Sequence, residues 1–255
     1  MKVLFLSDFH LGARYIKDSR AHEAAICRFL REKGKDADHI YLLGDILDYW
    51  FEYKEVVPRG FVRFLGTLAD LSDAGVKITW LTGNHDIWLF DYLRSELAIE
   101  VIDACYERLS IGDKNFILAH GDRLGSEKRS FKIISRVFRN KICQKLYSSI
   151  HPRWTVPFAR RWSSNSRYSH SEEENRKEYH LDKIRTDVNN LLRTFPDTNY
   201  VILGHHHHII DFTADINNCR VIVLGDWLDK FSYAEFDGLK MHLLTYQIDG
   251  ESFVN

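Results

Sequence analysis

Five short apolar runs, each closed by a glycine or a polar break and each followed at once by residues able to bind metal, constrain this chain more than any other feature. Val3–Leu6 leads to Asp8 and His10 in LSDFHLG, and Ile40–Leu43 to Asp45 in LLGDILD. Ile78–Leu81 leads to Asn84 in LTGNHD, Phe116–Ala119 to His120 in LAHGD, and Tyr200–Leu203 to His205 and His207 in LGHHHH. Runs of that length and composition read as buried strands. As neighbours in one sheet they deliver all these side chains to its carboxyl edge, where open α/β sheets place their sites. Seven oxygen and imidazole ligands exceed the needs of one transition-metal site that keeps open positions for water. With one carboxylate shared, they suit two. The expectation is a two-metal phosphoesterase.

The rest of the pattern predicts where these strands sit. Helical spacing covers Ser19–Lys33 and Phe61–Ala74, so the first three strands alternate with helices, the signature of βαβ units and a parallel sheet. From Ile99 the chain becomes strand-rich (Glu100–Ile102, Tyr106–Ile111, Asn115–Ala119), and it does so again at Tyr200–Leu203, Arg220–Leu224 and Met241–Ile248. Two sheets forming an α/β βαβ-sandwich are expected. Between His120 and Tyr200 the spacing turns helical, with breaks at His151-Pro152 and Pro157 and a charged helix over Glu172–Leu192. The predicted organisation is a core of residues 1–125 and 195–255 with an inserted basic helical cap at 126–194.

That insertion carries a second signal. From Lys128 to Arg167 eleven Lys and Arg occur without one Asp or Glu, interleaved with Phe131, Phe138, Tyr147, Trp154, Phe158 and Trp162. A solvated helix face is the plain explanation of a lone charge run, but the absence of acids beside a metal edge favours contact with phosphates or an anionic surface. Arg160, Arg161 and Arg167 are candidate phosphate partners by charge. The four cysteines lie far apart with no CxxC, which fits a reducing compartment. The apolar N-terminus reads as a strand, not a signal peptide, and no apolar stretch reaches the ~20 residues of a membrane helix. A cytoplasmic protein, able to rest on the inner membrane, is expected.

Two metals about 3.5–4 Å apart lower the pKa of a shared water and clamp a phosphate. Asp45, held between a glycine and an apolar residue, suits the shared carboxylate. Asp8, His10, Asp45 and His207 are assigned to one ion, and Asp45, Asn84, His120 and His205 to the other. Nitrogen and oxygen ligands without cysteine suit Mn²⁺, Zn²⁺ or Fe²⁺, with Mn²⁺ expected. The chain contains a decoy: Gly225-Asp226-Trp227-Leu228-Asp229 repeats the GDxxD spacing of Gly44–Asp48. Because the ligand positions are filled, Asp226 is read as structural or supporting. His206 is expected to point away from the ions.

The ordered set DxH, GDxxD, GNHD, HGD and GHHH resembles the calcineurin-like metallophosphoesterase superfamily over nearly the whole chain. The resemblance implies a dinuclear centre, with His85 acting at the leaving group and Asp48 as its acidic partner. Within the superfamily the chain is similar to the UDP-2,3-diacylglucosamine pyrophosphatases, which share the N-terminal LSDxHL, a helical cap after HGD and an Asn-Ser pair, here Asn165-Ser166. Their substrate is a nucleotide-sugar lipid cleaved to UMP and a lipid sugar phosphate. Asn84, His85, His205, Asn165 and Ser166 are the substrate contacts the resemblance suggests. The best-known branch has Arg in place of His85, Glu in place of Asp48 and an acid in place of Lys128, so this chain reads as a divergent branch. Other phosphodiesterases, protein phosphatases and nucleases share the motifs. The large cap argues against a shallow open site, nucleic acid is not the expected partner, and a metal-free scaffold has no physical reason to keep every ligand.

Overall fold

Alternation of large apolar side chains places the central strands between two cores. The computed structural model describes residues 1–125, 129–159, 177–248 and 253. In chain order the strands are β1 (Val3–Leu6), β2 (His39–Leu43), β3 (Lys77–Leu81), β4 (Glu100–Ile102), β5 (Glu107–Ile111), β6 (Lys114–Ala119), β7 (Tyr200–Leu203), β8 (Ile210–Thr213), β9 (Arg220–Val223), β10 (Ser232–Phe236) and β11 (Met241–Thr245). They form two sheets, ordered β11-β10-β1-β2-β3-β4 and β5-β6-β7-β9-β8, so the five ligand-bearing strands, expected as neighbours in one sheet, divide into β1, β2 and β3 in the first and β6 and β7 in the second. In the first, β1 to β4 run parallel and β10 and β11 antiparallel. In the second, β6, β7 and β9 run parallel between antiparallel edges.

Val3 and Phe5 of β1 face the second sheet with Tyr41, Leu43 and Leu81, meeting Phe116, Leu118, Ile202 and Ile222. Leu4 and Leu6 face the other way, onto helices α1 (Ser19–Phe29) and α2 (Val62–Asp73) through Ile26, Phe29, Phe64 and Leu68. Strands buried on both faces carry continuous apolar runs, which is why these were visible as runs in the sequence. Asp18 caps α1 by accepting from the amides of Arg20 and Ala21, at 3.0 and 2.9 Å, and a π-helical turn at Leu30–Gly34 ends it.

Helix α3 (Tyr92–Leu97) follows β3, and between β6 and β7 the described residues include the helices α4 (Arg129–Arg139), α5 (Lys141–Ser148), α6 (152–159) and α7 (Lys177–Thr194). Asn140 splits the first helical run by accepting from the amides of Ile142 and Cys143. The break expected at His151-Pro152 separates α5 from α6, and Pro152 opens α6, where its missing N–H costs nothing. Pro157 lies inside α6 and does not end it. The insertion packs in two places. Ile184, Val188 and Leu192 of α7 are buried against Ile117, Ala119, Val201 and Leu203 on the outer face of the second sheet. Phe138, Tyr147 and Val156 pack on Tyr49, Phe51, Ile87 and Trp88, beside the carboxyl ends of β2 and β3.

Candidate metal centre

The strand ends meet because the hydrogen-bond ladders continue past them. Beyond Leu6, the amides of Asp8, His10 and Leu11 donate to the carbonyls of Gly44, Asp45 and Ile46 at 3.1, 2.9 and 2.9 Å. On the second sheet the Gly204 amide donates to the His120 carbonyl at 2.9 Å. Each strand then turns sharply. Asp8, His10, Asp45, His205 and His207 all have positive φ, between 49° and 71°, and they are five of the nine such non-glycine residues among those described. Side chains other than glycine enter this region at a cost, and its concentration here marks a built site.

Glycines let the ends approach. A Cβ at Gly83 would lie 2.1 Å from Asp45 Oδ1, and one at Gly204 would lie 2.8 Å from Asp8 Oδ2. Gly44 combines a φ of +86° with a Cβ position 2.6 Å from the Gly83 nitrogen. The glycines of the GD, GN and GH motifs are therefore steric requirements of the ligand set.

The expected ligands converge in overlapping groups. Asp8, His10 and His207 form one triad whose ligand atoms lie within 4.8 Å of one another, and Asp45, His120 and His205 form another. His10 and Asp45 also group with His85, so Asp45 reaches both sides. The His10 and His207 Nε2 atoms approach to 3.3 Å, and Asp8 Oδ1 lies 3.8 and 3.7 Å from them. His120 Nε2 is 3.3 Å from both Asp45 Oδ2 and Asn84 Oδ1. Its Nδ1 is 2.8 Å from the Leu43 carbonyl, which can only accept, so the proton sits on Nδ1 and Nε2 faces the carboxylate.

The donor set fits a cation. Asp8 Oδ1 is wholly buried without a hydrogen-bond donor among the described residues. A buried carboxylate oxygen left bare costs several kcal/mol on the order expected for a desolvated charge, unless an ion is there to meet it. The second carboxylate oxygen of Asp8 accepts from the His205 amide at 2.9 Å, and Asp45 Oδ1 from the His85 amide at 2.9 Å. Each carboxylate is thus fixed by one oxygen and presents the other.

His85 lies at the mouth of this cluster, its side chain 19 % exposed. Its Nδ1 is 3.1 Å from the Asp48 carbonyl and 3.5 Å from Asp48 Oδ1, while Nε2 lies 3.9 Å from Asp45 Oδ2. Burial alone lowers the His85 pKa, but the charges of Asp45 and Asp48 outweigh it and raise it above the ordinary value. The same competition pushes His120 up to about 10, with Asp45 overcoming burial.

Two supporting groups, Asp86 and Arg139, were not assigned from sequence, and a third, Asp226, was expected there as structural or supporting. Asp86, the acid of GNHD, accepts from the Gly83 amide, the Ile46 amide and the Trp80 indole at 2.7, 2.9 and 3.1 Å, tying β2 to β3 behind Asp45. Burial, then the Asp45 charge, pushes its pKa up to about 6. Arg139 of α4 bonds Asp103 at 3.1 Å and contacts the Gly83 carbonyl at 3.4 Å. Asp226 reaches His207 Nδ1 at 3.2 Å. His206 lines a small cavity under α7 with Gly121 and Lys183 and belongs to neither triad. Asn165, Ser166, Arg160, Arg161 and Arg167 lie outside the described residues.

Comparison with known proteins extends the geometry. Residues 1–209 match the family described as calcineurin-like phosphoesterase. A UDP-2,3-diacylglucosamine hydrolase of Porphyromonas gingivalis is 40 % identical over 257 residues, covering 95 % of this chain and 96 % of that one. Another of that name, from Aeromonas hydrophila, is 29 % identical over 239 residues, covering 91 % and 93 %. Among solved structures, an archaeal phosphodiesterase aligns with a TM-score of 0.47 at 14 % identity, over 96 % of this chain and all of that one.

Proposed function

This chain belongs to the calcineurin-like phosphoesterase family, and on that premise we propose that it hydrolyses the pyrophosphate of UDP-2,3-diacylglucosamine, releasing UMP and 2,3-diacylglucosamine 1-phosphate. The observation that carries the chemistry is the meeting of the Asp8–His10–His207 and Asp45–His120–His205 triads at the carboxyl ends of strands from both sheets, with Asp45 also grouped with His10. The substrate rests on the relative that is 40 % identical along almost the entire chain.

Asp8, His10, Asp45 and His207 would hold one divalent ion, and Asp45, Asn84, His120 and His205 the other; Mn²⁺ suits this oxygen and imidazole set, as do Zn²⁺ and Fe²⁺. Such a pair supplies an activated water and neutralises charge gathering on the phosphoryl oxygens. The protein's own groups do the rest. His85 faces the site through Nε2, with Nδ1 held against the Asp48 backbone and carboxylate. As the P–O–P bridge breaks, water oxygen joins one phosphorus and the bridging oxygen leaves with the other. The leaving oxygen takes the proton His85 holds.

The 126–194 insertion is proposed as a cap over this edge, anchored by Trp88, Phe138 and Tyr147 on one side and by α7 on the other. Its Asn165, Ser166, Arg160, Arg161 and Arg167 are proposed to meet the nucleotide and phosphates. No helix among the described residues is long and apolar enough to cross a membrane. A cytoplasmic enzyme resting on the inner membrane through its basic cap is the arrangement proposed.

The test is hydrolysis of UDP-2,3-diacylglucosamine with added Mn²⁺, analysed for UMP, beside an Asp45→Ala control. UMP release lost in the control supports metal chemistry and substrate together. Cleavage of an aryl phosphodiester without UMP release keeps the metal centre and eliminates the lipid substrate.

A further inference from the structure

The loop that repeats the GDxxD spacing touches the Asp8–His10–His207 triad at two of its members, Asp8 and His207. Asp226, its side chain 7 % exposed, lies between β9 and β10 and uses its two oxygens for different tasks. Oδ1 accepts from the amides of Leu228, Asp229 and Lys230 at 3.0, 2.9 and 3.2 Å, closing the turn. Oδ2 meets His207 Nδ1 at 3.2 Å.

The same turn fixes Asp8 through the backbone, because the Trp227 amide donates to the Asp8 carbonyl at 3.1 Å. Trp227 is itself immobilised. Its indole donates to the Ser232 carbonyl at 3.0 Å, and its carbonyl accepts from His22 Nε2 of α1 at 2.8 Å. Its ring lies against Phe9 and Phe29, at centroid distances of 5.2 and 4.6 Å. The turn is therefore braced by core and helix, and rigid where it touches Asp8 and His207.

A carboxylate only accepts, so His207 must carry its proton on Nδ1 and present the Nε2 lone pair toward Asp8 Oδ1 and His10 Nε2. His120 of the other triad has its tautomer set by the Leu43 carbonyl. One triad thus leans on a charged acceptor and the other on a neutral one. A carboxylate partner fixes ring orientation and raises ligand basicity, and its loss costs about 10- to 100-fold in metal affinity.

We propose that Asp226 is the positioning residue of the Asp8–His10–His207 metal position, and that the Gly225–Lys230 loop serves that position and not its neighbour. The inference rests on the dinuclear reading above. Asn at 226 keeps an oxygen for the three turn amides but offers N–H to His207 Nδ1. That drives the His207 proton to Nε2, the atom required by the ion.

The experiment is a Mn²⁺ titration of the metal-free full chain by calorimetry at fixed pH, wild type against Asp226→Asn, with the melting temperature of each metal-free protein. The expected result is two ions bound by wild type. Asp226→Asn then keeps one at wild-type affinity and binds the other about 10- to 100-fold more weakly, with its melting temperature preserved. Unchanged affinity for both ions, or equal weakening of both, overturns the proposal. Nitrogen-15 NMR of the Zn²⁺-loaded wild type decides the matter if the variant fails to fold: a proton on His207 Nδ1 supports the proposal, and one on Nε2 overturns it. Wild type binding fewer than two ions removes the dinuclear reading itself, an outcome distinct from a variant that binds like wild type.

Discussion

His120 Nε2 lies 3.3 Å from Asp45 Oδ2, with both side chains withdrawn from solvent. In the metal-free chain burial disfavours a charged imidazole, yet Asp45 outweighs it and the His120 pKa rises to about 10. A folded-state pKa above the unfolded value of about 6.5 gives stability that is full below that value and fades as pH climbs through about 10. The metal-free protein should therefore lose stability from neutral to alkaline pH, and Asp45→Asn should flatten the slope. A divalent ion needs the His120 lone pair, so loading should expel about one proton from this site at neutral pH and weaken as pH falls. Calorimetry of Mn²⁺ binding in buffers of different ionisation enthalpy measures that proton; zero release contradicts the coupling.

His85, the proposed proton donor, should carry the pH dependence of turnover. Burial lowers its pKa, but Asp45 and Asp48 together raise it, so the protonated form persists above the ordinary histidine range. As proton donor it should place the alkaline limb of kcat above about pH 6.5. His85→Asn should lower kcat by about 10²- to 10⁴-fold and remove that limb, with metal content unchanged. An aryl phosphodiester whose leaving group needs no proton should lose far less. Equal losses on both substrates would reassign His85 to phosphate binding.

The site was legible because its ligands follow strands buried on both faces, and continuous apolar runs such as VLFL and YVIL announce such strands. Ser232–Phe236 escaped notice although it is largely buried between β11 and β1 of the first sheet, because SYAEF has mixed polarity and no apolar run. Ile210–Thr213 was missed for a different reason: as an edge strand it exposes Asp211 and Thr213, and its four residues mimic a loop. Asp226 could be read as a structural or supporting group, but its partner could not be named, since His207 comes from another strand end. The Leu43 carbonyl that orients His120 leaves no trace in sequence at all.

Gly83 tests the steric argument. Its backbone φ is not in the left-handed region, so the obstacle to a side chain is steric: Asp45 Oδ1 lies 2.1 Å and the Asp45 nitrogen 2.5 Å from the Cβ position. Gly83→Ala should displace Asp45 and destabilise the fold by about 1–3 kcal/mol, as overpacking does. Metal stoichiometry and melting temperature should fall together. A variant that binds metal normally would show that the loop yields more easily than its packing implies.

The aromatic contact between insertion and core should govern substrate fit. Trp88 donates to the Phe138 carbonyl at 2.8 Å and stacks on Tyr147 at 5.2 Å, and Tyr147 Oη lies 3.0 Å from Tyr49 Oη. Trp88 stands three residues after His85, so the insertion is tied directly to the loop bearing the proposed proton donor. Trp88→Phe keeps most of the packing and removes one hydrogen bond worth about 0.5–1.5 kcal/mol. KM for the lipid substrate should rise by about tenfold at most, while hydrolysis of a small aryl phosphodiester stays near wild type. Loss of both activities alike would mean that Trp88 supports His85 rather than the insertion.

The outer faces of α5 and α6 combine grease and positive charge. Ile142, Leu146, Trp154 and Phe158 are 71, 65, 71 and 64 % exposed, beside Lys141, Lys145 and Arg153. Basic residues near an anionic leaflet contribute about 1 kcal/mol each, and exposed apolar side chains can enter the headgroup boundary. Co-sedimentation with vesicles containing phosphatidylglycerol should be strong at low salt and weak with phosphatidylcholine alone. Lys141→Glu combined with Lys145→Glu should reduce it without affecting turnover of a soluble aryl phosphodiester, since neither lysine approaches the metal edge in any contact described above. Vesicle binding that ignores both salt and lipid charge would mean the basic run serves the substrate's phosphates rather than the membrane.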